Sequence, residues 1–170
     1  MPAEFAFQFP EKLIPLLITK ALAGEKLPVY GQGDNVRDWL YVEDHVEGLW
    51  QIFKQGRIGE KYNLGGGAER RNIDLIELLC DVLDDLLPQS PHRPHRNLIE
   101  HVPDRPGHDE RYAMNFGKLE RELGWHPRTS LDEGLHKTVE WYLSNREWCD
   151  DIRARIYHGE RLGRTGERGQ

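Results

Sequence analysis

The 170-residue chain is 31% charged and 38% hydrophobic, with a formal net charge of −6. That balance suits one soluble globular domain with a sizeable core and excludes a disordered or fibrous class. The acidic charge speaks against non-specific nucleic-acid binding, which needs a basic face, and no run of about 18 apolar residues is present to span a membrane. Residues 1–9 lack the basic-then-apolar order of a signal peptide, and Cys80 and Cys149 form no CxxC pair. A cytoplasmic protein with two ordinary thiols is the expectation.

In chain order, Leu13, Leu16, Leu17 and Ala21 recur at helical spacing. They predict a helix over 11–23 that begins near Lys12, because Pro15 is tolerated only in a first turn. A short strand over 26–30 and a turn at Gly31–Asn35 follow, then a strand over 37–42 rich in aromatic and β-branched residues. Glu43 and Asp44 open a helix over 43–55, with Val46, Leu49, Trp50 and Phe53 as its expected buried stripe. A strand over 61–64 enters Gly65-Gly66-Gly67. Asn72 is the expected N-cap of an apolar helix over 72–87 that Pro88 ends. A polar loop covers 89–97, a strand 98–102, an irregular loop 104–109 and a short extended piece 111–114. Asn115 should cap a helix that stops at Gly124, and Ser130 with Glu133 forms a capping box for a helix over 131–147. The apolar pattern fades from 151, so a domain over 1–150 with a tail over 151–170, flexible at its end, is expected.

Strands alternating with helices give an α/β class. The strand count is low and the first element starts almost at Met1, which points to something preceding this piece in a complete protein. Gly65-Gly66-Gly67 sits between strand and helix, the right context for a dinucleotide turn, but position 70 is Arg and the GxGxxG spacing fails. Gly31-x-Gly33 fails because position 36 is Val. Both read as tight turns. His92, His95, His101 and His108 lie in polar loops without ligand spacing, so no metal site is expected. Three segments suit an anion. Arg37 offers a guanidinium fork after a Gly-rich turn. Asp104-Arg105-Pro106-Gly107-His108 puts acid, base and imidazole on one rigid bend, and Lys12 sits at a helix N-terminus. Together they suggest a diphosphate-bearing ligand.

The segment Phe9-Pro10-Glu11-Lys12-Leu13-Ile14-Pro15-Leu16 resembles the dTDP-glucose 4,6-dehydratases, a group of extended short-chain dehydrogenases. The resemblance runs on through 27–33, Val36-Arg37-Asp38-Trp39-Leu40-Tyr41-Val42-Glu43-Asp44-His45, Tyr62-Asn63-Leu64-Gly65-Gly66 and Asn72-Ile73-Asp74. Asp104-Arg105-Pro106-Gly107-His108-Asp109, Arg111-Tyr112-Ala113, Glu122-Leu123-Gly124-Trp125 and 137–143 complete it, over roughly 8–157. The 37–44 and 63–66 stretches resemble many sugar-nucleotide epimerases and decarboxylases. The first segment and the 104–109 loop are narrower.

The resemblance implies the C-terminal, substrate-binding part of an extended short-chain dehydrogenase fold, with an incomplete Rossmann sheet. It implies substrate contacts at Lys12 and Leu13, at Pro28, Val29 and Tyr30 against the nucleotide base, at Arg37 on the diphosphate, and at Asn72, Asp104, Arg105, Pro106, Gly107 and His108. The complete family enzyme is a homodimer that holds NAD, oxidises the sugar at C4, eliminates water across C5 and C6 and returns the hydride to C6, yielding dTDP-4-keto-6-deoxyglucose for rhamnose and other deoxysugars. In that scheme this chain supplies the dTDP-sugar pocket. The departures are large. Met1–Ala6 stands where the family carries Asn-Asn-Tyr-Gly-Pro, the cofactor's phosphate turn and the Thr-Asp-Glu triplet are absent, and no Tyr is followed four places on by Lys. No catalytic residue, tight NAD binding or metal is therefore expected of this chain alone, and a separate N-terminal cofactor-binding half is an expected partner. Part of another sugar-nucleotide epimerase or decarboxylase, or a non-catalytic truncated binding protein, are the competing readings.

Overall fold

The computed structural model describes residues 12–150. Helix α1 (Leu13–Leu22) places Pro15 in its first turn, where no intrahelical N–H is needed, and buries Leu17, Ile18 and Ala21. Strand β1 (Leu27–Tyr30) alternates strictly, with Leu27 and Val29 buried and Pro28 and Tyr30 half-exposed. It pairs in parallel with β4 (Ile99–Val102), Leu27 opposite Ile99 and Tyr30 opposite Val102. Strand β2 (Val36–Asp38) pairs antiparallel with β3 (Glu69–Arg71). Helices α2 (Val42–Gln55), α3 (Asn72–Leu86), α4 (Gly117–Leu123) and α5 (Leu131–Ser144) complete the main elements, with a short 3-10 helix at His95–Leu98.

One core joins α1, β1, α3 and α5. Leu75, Ile76, Leu79 and Leu83 of α3 interlock with Leu17 and Ile18, Leu27 and Val29, and Leu135 and Val139. Burial also pushes the Cys80 thiol up to about 12, which leaves it an inert core residue. Ser130 caps α5 as its sequence predicts, its Oγ accepting from the Glu133 amide at 3.2 Å. Gly124 ends α4 in the left-handed region at φ +70°.

Several expectations need correction. The strand predicted over 37–42 stops at Asp38. There the Asp38 carboxylate accepts from the Gly66 and Ala68 amides at 3.1 and 3.0 Å and closes β2 against the glycine turn. A Cβ on Gly66 would lie 1.7 Å from the Trp39 carbonyl oxygen, so the triple glycine serves this close backbone approach. Asn72 is the first residue of α3 and Arg71 its cap. The polar loop predicted over 89–97 hides the 3-10 helix. His95 is fully buried there, with its Nδ1 on Asp84 and its Nε2 3.3 Å from Ser90 Oγ. Asn115 does not flank α4 directly. Its Oδ1 accepts from the Gly117 amide at 2.9 Å, and Phe116 is the boundary residue. Helix α5 ends at Ser144, and after a turn at Asn145 the backbone is helical again over 146–150. The N-terminal segment before 12 and the tail over 151–170 lie outside the described residues.

The largest differences fall on one segment. Val46, Leu49, Trp50 and Phe53, expected to be buried, are 54%, 50%, 58% and 79% exposed. Helix α2 instead turns Asp44 and Gly48 inward. The Asp44 carboxylate accepts from the Arg128 and Thr129 amides, and Gly48 lies against Leu64 and Trp125. Residues 61–64, expected as a strand, make no backbone–backbone hydrogen bond among the described residues. The segment from α2 to residue 64 thus holds both an exposed apolar stripe and a strand-like sequence without a ladder.

Candidate functional site

The parallel pair β1–β4 sets the site, because loops leaving the carboxyl ends of parallel strands converge by construction. Tyr30 and Val102 are register partners at that end, and the Gly31 amide donates to the Val102 carbonyl at 2.9 Å. The Gly31–Asn35 turn and the loop after Pro103 therefore leave side by side. A Cβ on Gly31 would sit 3.4 Å from Asp104 Oδ2, so its absence and its φ of +57° let the two loops touch. The His101 ring contacts the Gly31 carbonyl through Nδ1 at 2.8 Å.

The Asp104–His108 bend is held by its own side chains. Asp104 Oδ1 accepts from His108 Nδ1 at 2.7 Å and from the Arg105 amide at 2.8 Å, and Gly107 adopts φ +70°. The His108 ring meets Tyr30 edge-on at 6.1 Å between centroids. These bonds hold the Asp104 carboxyl below the usual aspartate range, the His108 hydrogen bond first and the Arg105 amide second. A depressed carboxyl stabilises the bend above the ordinary aspartate value, and the contribution is lost as pH falls through the lowered value. In a carboxyl-carbon NMR titration, Asp104 should titrate below ordinary aspartates, and His108→Gln should move it upward. An unchanged midpoint would remove His108 as the cause.

Arg37 reaches this loop from β2. Its Nη2 donates to the Asp109 carbonyl at 3.0 Å, its Nη1 to the Val36 carbonyl at 2.7 Å, and the guanidinium lies 4.6 Å over the Tyr112 ring. Residues 110–112 run beside β2, with the Val36 amide donating to the Glu110 carbonyl and the Tyr112 amide to the Val36 carbonyl. The Tyr112 hydroxyl donates to the Asp109 carboxylate, which pushes the phenol's pKa up, and the charges of Arg37 and Arg105 both act on it. The Asn72 amide donates to the Asn35 carbonyl at 2.9 Å, and buried Asn35 donates from Nδ2 to the Asp109 carbonyl at 3.2 Å. Asn72 Oδ1 is buried with no hydrogen-bond partner among the described residues.

Tyr30, Arg37, Asn72 and the 104–108 loop are therefore tied together, directly or through Asn35, Asp109 and Tyr112. Val29 is buried in the core with 1% of its surface exposed, so the expected ligand contact there is not presented by the described residues. Lys12 is the exposed cap of α1 and Leu13 packs on the core, and the contacts above do not include them. Asp109 and Tyr112 carry the frame, although the sequence marks them only as members of motifs. Their role is a main-chain carbonyl and a ring face, which residue type does not signal.

A sequence profile of the GDP-mannose 4,6 dehydratase family matches residues 4–138. The chain belongs to this family. A probable dTDP-glucose 4,6-dehydratase of Sinorhizobium fredii is 55% identical over 157 residues, covering 92% of this chain and 44% of the relative. The crystal structure of dTDP-glucose 4,6-dehydratase from Bacillus anthracis in complex with NAD superposes with a TM-score of 0.72 at 43% identity, over 86% of this chain and 43% of that one. A Thermotoga maritima UDP-glucose 4-epimerase, solved with UDP-glucose, gives 0.68 at 27% identity over 82% and 42%. The chain spans less than half the length of the relatives it matches. Its α/β fold is accordingly part of the extended short-chain dehydrogenase fold of these dehydratases.

Proposed function

We propose that this chain is the substrate-holding part of a dTDP-glucose 4,6-dehydratase, gripping the nucleotide diphosphate sugar while cofactor and catalytic groups come from the remainder of the enzyme. The observation that carries the reading is the Arg37 guanidinium. Two of its five N–H groups are held by carbonyls, one of them that of Asp109 next to the Asp104–His108 bend, and its face lies on Tyr112, so the guanidinium is fixed with three donors left for a ligand. A fixed fork next to a rigid loop suits a diphosphate, and the half-exposed Tyr30 at the same strand ends suits a flat base. The dehydratase reading is favoured over the epimerase reading by 43% against 27% identity to the respective solved structures.

No helix among the described residues is long and apolar enough to cross a membrane. A homodimer, a cytoplasmic setting and a separate cofactor-binding half belong to the same proposal. The exposed stripe of α2 and the ladderless residues 61–64 support the last of these, since a helix face and a strand lacking cover are what one sheet would satisfy together. Titrating the isotope-labelled chain with dTDP tests the pocket. Amide and guanidinium signals of Tyr30, Arg37 and His108 should shift together while those of Trp141 on α5 stay still. Shifts confined to other residues, or none up to tens of millimolar, would refute the pocket.

A further inference from the structure

We infer that Arg70 is a second guanidinium of the site, facing the same diphosphate as Arg37. The inference rests on the diphosphate reading above and adds a residue to it. In the β2–β3 ladder Arg37 is the register partner of Arg70. Directly opposed residues of an antiparallel pair project from the same face, and like charges placed there destabilise the pair. The opposition calls for a compensating anion.

The neighbouring arginines show what compensation looks like here. Arg71 grips Asp74 through two bonds of 2.9 and 2.7 Å, and Arg111 grips Glu69 through two bonds of 2.7 Å. Arg37 has only two backbone carbonyls and an aromatic face. The exposed Arg70 side chain makes no ion pair or hydrogen bond with the described residues. Its charge is felt by Asp74, but both oxygens of that carboxylate are already taken by Arg71. Two of the four arginines on this small sheet are thus neutralised by carboxylates. The other two are register partners and have none among the described residues. A diphosphate spread over both would be held at two points, fixing its direction along the ladder as well as its charge.

The test compares dTDP with thymidine on the full chain and four single variants, followed by NMR titration. Arg70→Ala should weaken dTDP about 5- to 10-fold, the loss of one partly exposed charge-assisted contact, and leave thymidine unchanged. Arg71→Ala controls for the general field. The inference is overturned if Arg70→Ala changes dTDP binding less than about twofold, if thymidine weakens equally, or if Arg71→Ala matches the Arg70 loss. Arg70→Lys should recover part of the binding. Loss of dTDP binding in Arg37→Ala but not in Arg70→Ala would leave the diphosphate site standing and sink this residue's part in it. Failure of the unaltered chain to bind dTDP would instead sink the site itself.

Discussion

The purified 170-residue chain, given NAD and dTDP-glucose, should produce no 4-keto sugar above a matched blank. Hydride removal at C4 needs a bound nicotinamide and a base, and elimination needs an acid–base pair. None of the six tyrosines is followed four places on by lysine, and no glycine run has the GxGxxG spacing. Loss of such groups typically costs on the order of a millionfold in rate, and without a hydride acceptor the first step does not occur. Activity should appear when the chain is co-expressed with the unmatched remainder of the Sinorhizobium relative. Trp50→Glu should abolish that recovery. Trp50 is exposed and, among the described residues, stacks only on Phe53, with Lys54 over its ring, so the variant should fold normally while losing the apolar face on which a partner sheet would rest. Hydrogen exchange at residues 61–64 should slow in the joined enzyme, as their amides enter a ladder. Turnover by the chain alone, with host enzyme excluded, would place the chemistry elsewhere than argued. Recovery indifferent to Trp50→Glu would reject the docking face.

The sequence and the structure agree wherever a segment is satisfied by its own neighbours. The five main helices lie where periodicity puts them, and the Ser130 cap and the Gly124 stop follow from side-chain and backbone chemistry of a few adjacent residues. Disagreement concentrates where the deciding partner is remote. Residues 61–64 have strand composition, but a strand exists only against another strand, and none pairs with them among the described residues. The stripe of α2 has the pattern of burial but lacks a surface to be buried on. Both are local signals that the proposed cofactor-binding half would satisfy. The 3-10 helix at His95–Leu98 is a different failure. It is held by buried His95 on Asp84 of α3, a polar contact that leaves no apolar period to read. For the site, residue types suffice to nominate Arg37 and the 104–108 bend. They do not reveal Tyr112 and Asp109, which act through a ring face and a carbonyl. Nor do they reveal Arg70, whose position opposite Arg37 depends on the β2–β3 register.

Arg37→Ala in the joined enzyme should raise the dissociation constant for the nucleotide sugar by about 2–4 kcal/mol, roughly 30- to 1000-fold. The size follows from what the side chain does. A charge-assisted, two-point contact to a diphosphate is among the strongest hydrogen-bonded arrangements available, and here its entropy cost is already met by the Val36 and Asp109 carbonyls and the Tyr112 ring. Removing it strips the anion of its fixed partner. Arg37→Lys should recover only part of the loss, because an ammonium keeps the charge but cannot bond both carbonyls and a phosphate in one plane. The loss should fall mainly on binding, since the guanidinium contacts a part of the substrate remote from the reacting carbons. KM should rise with the turnover of bound substrate changing much less. A large fall in kcat at saturating substrate, with KM unmoved, would mean that Arg37 serves the chemical step and that the diphosphate is held by other groups.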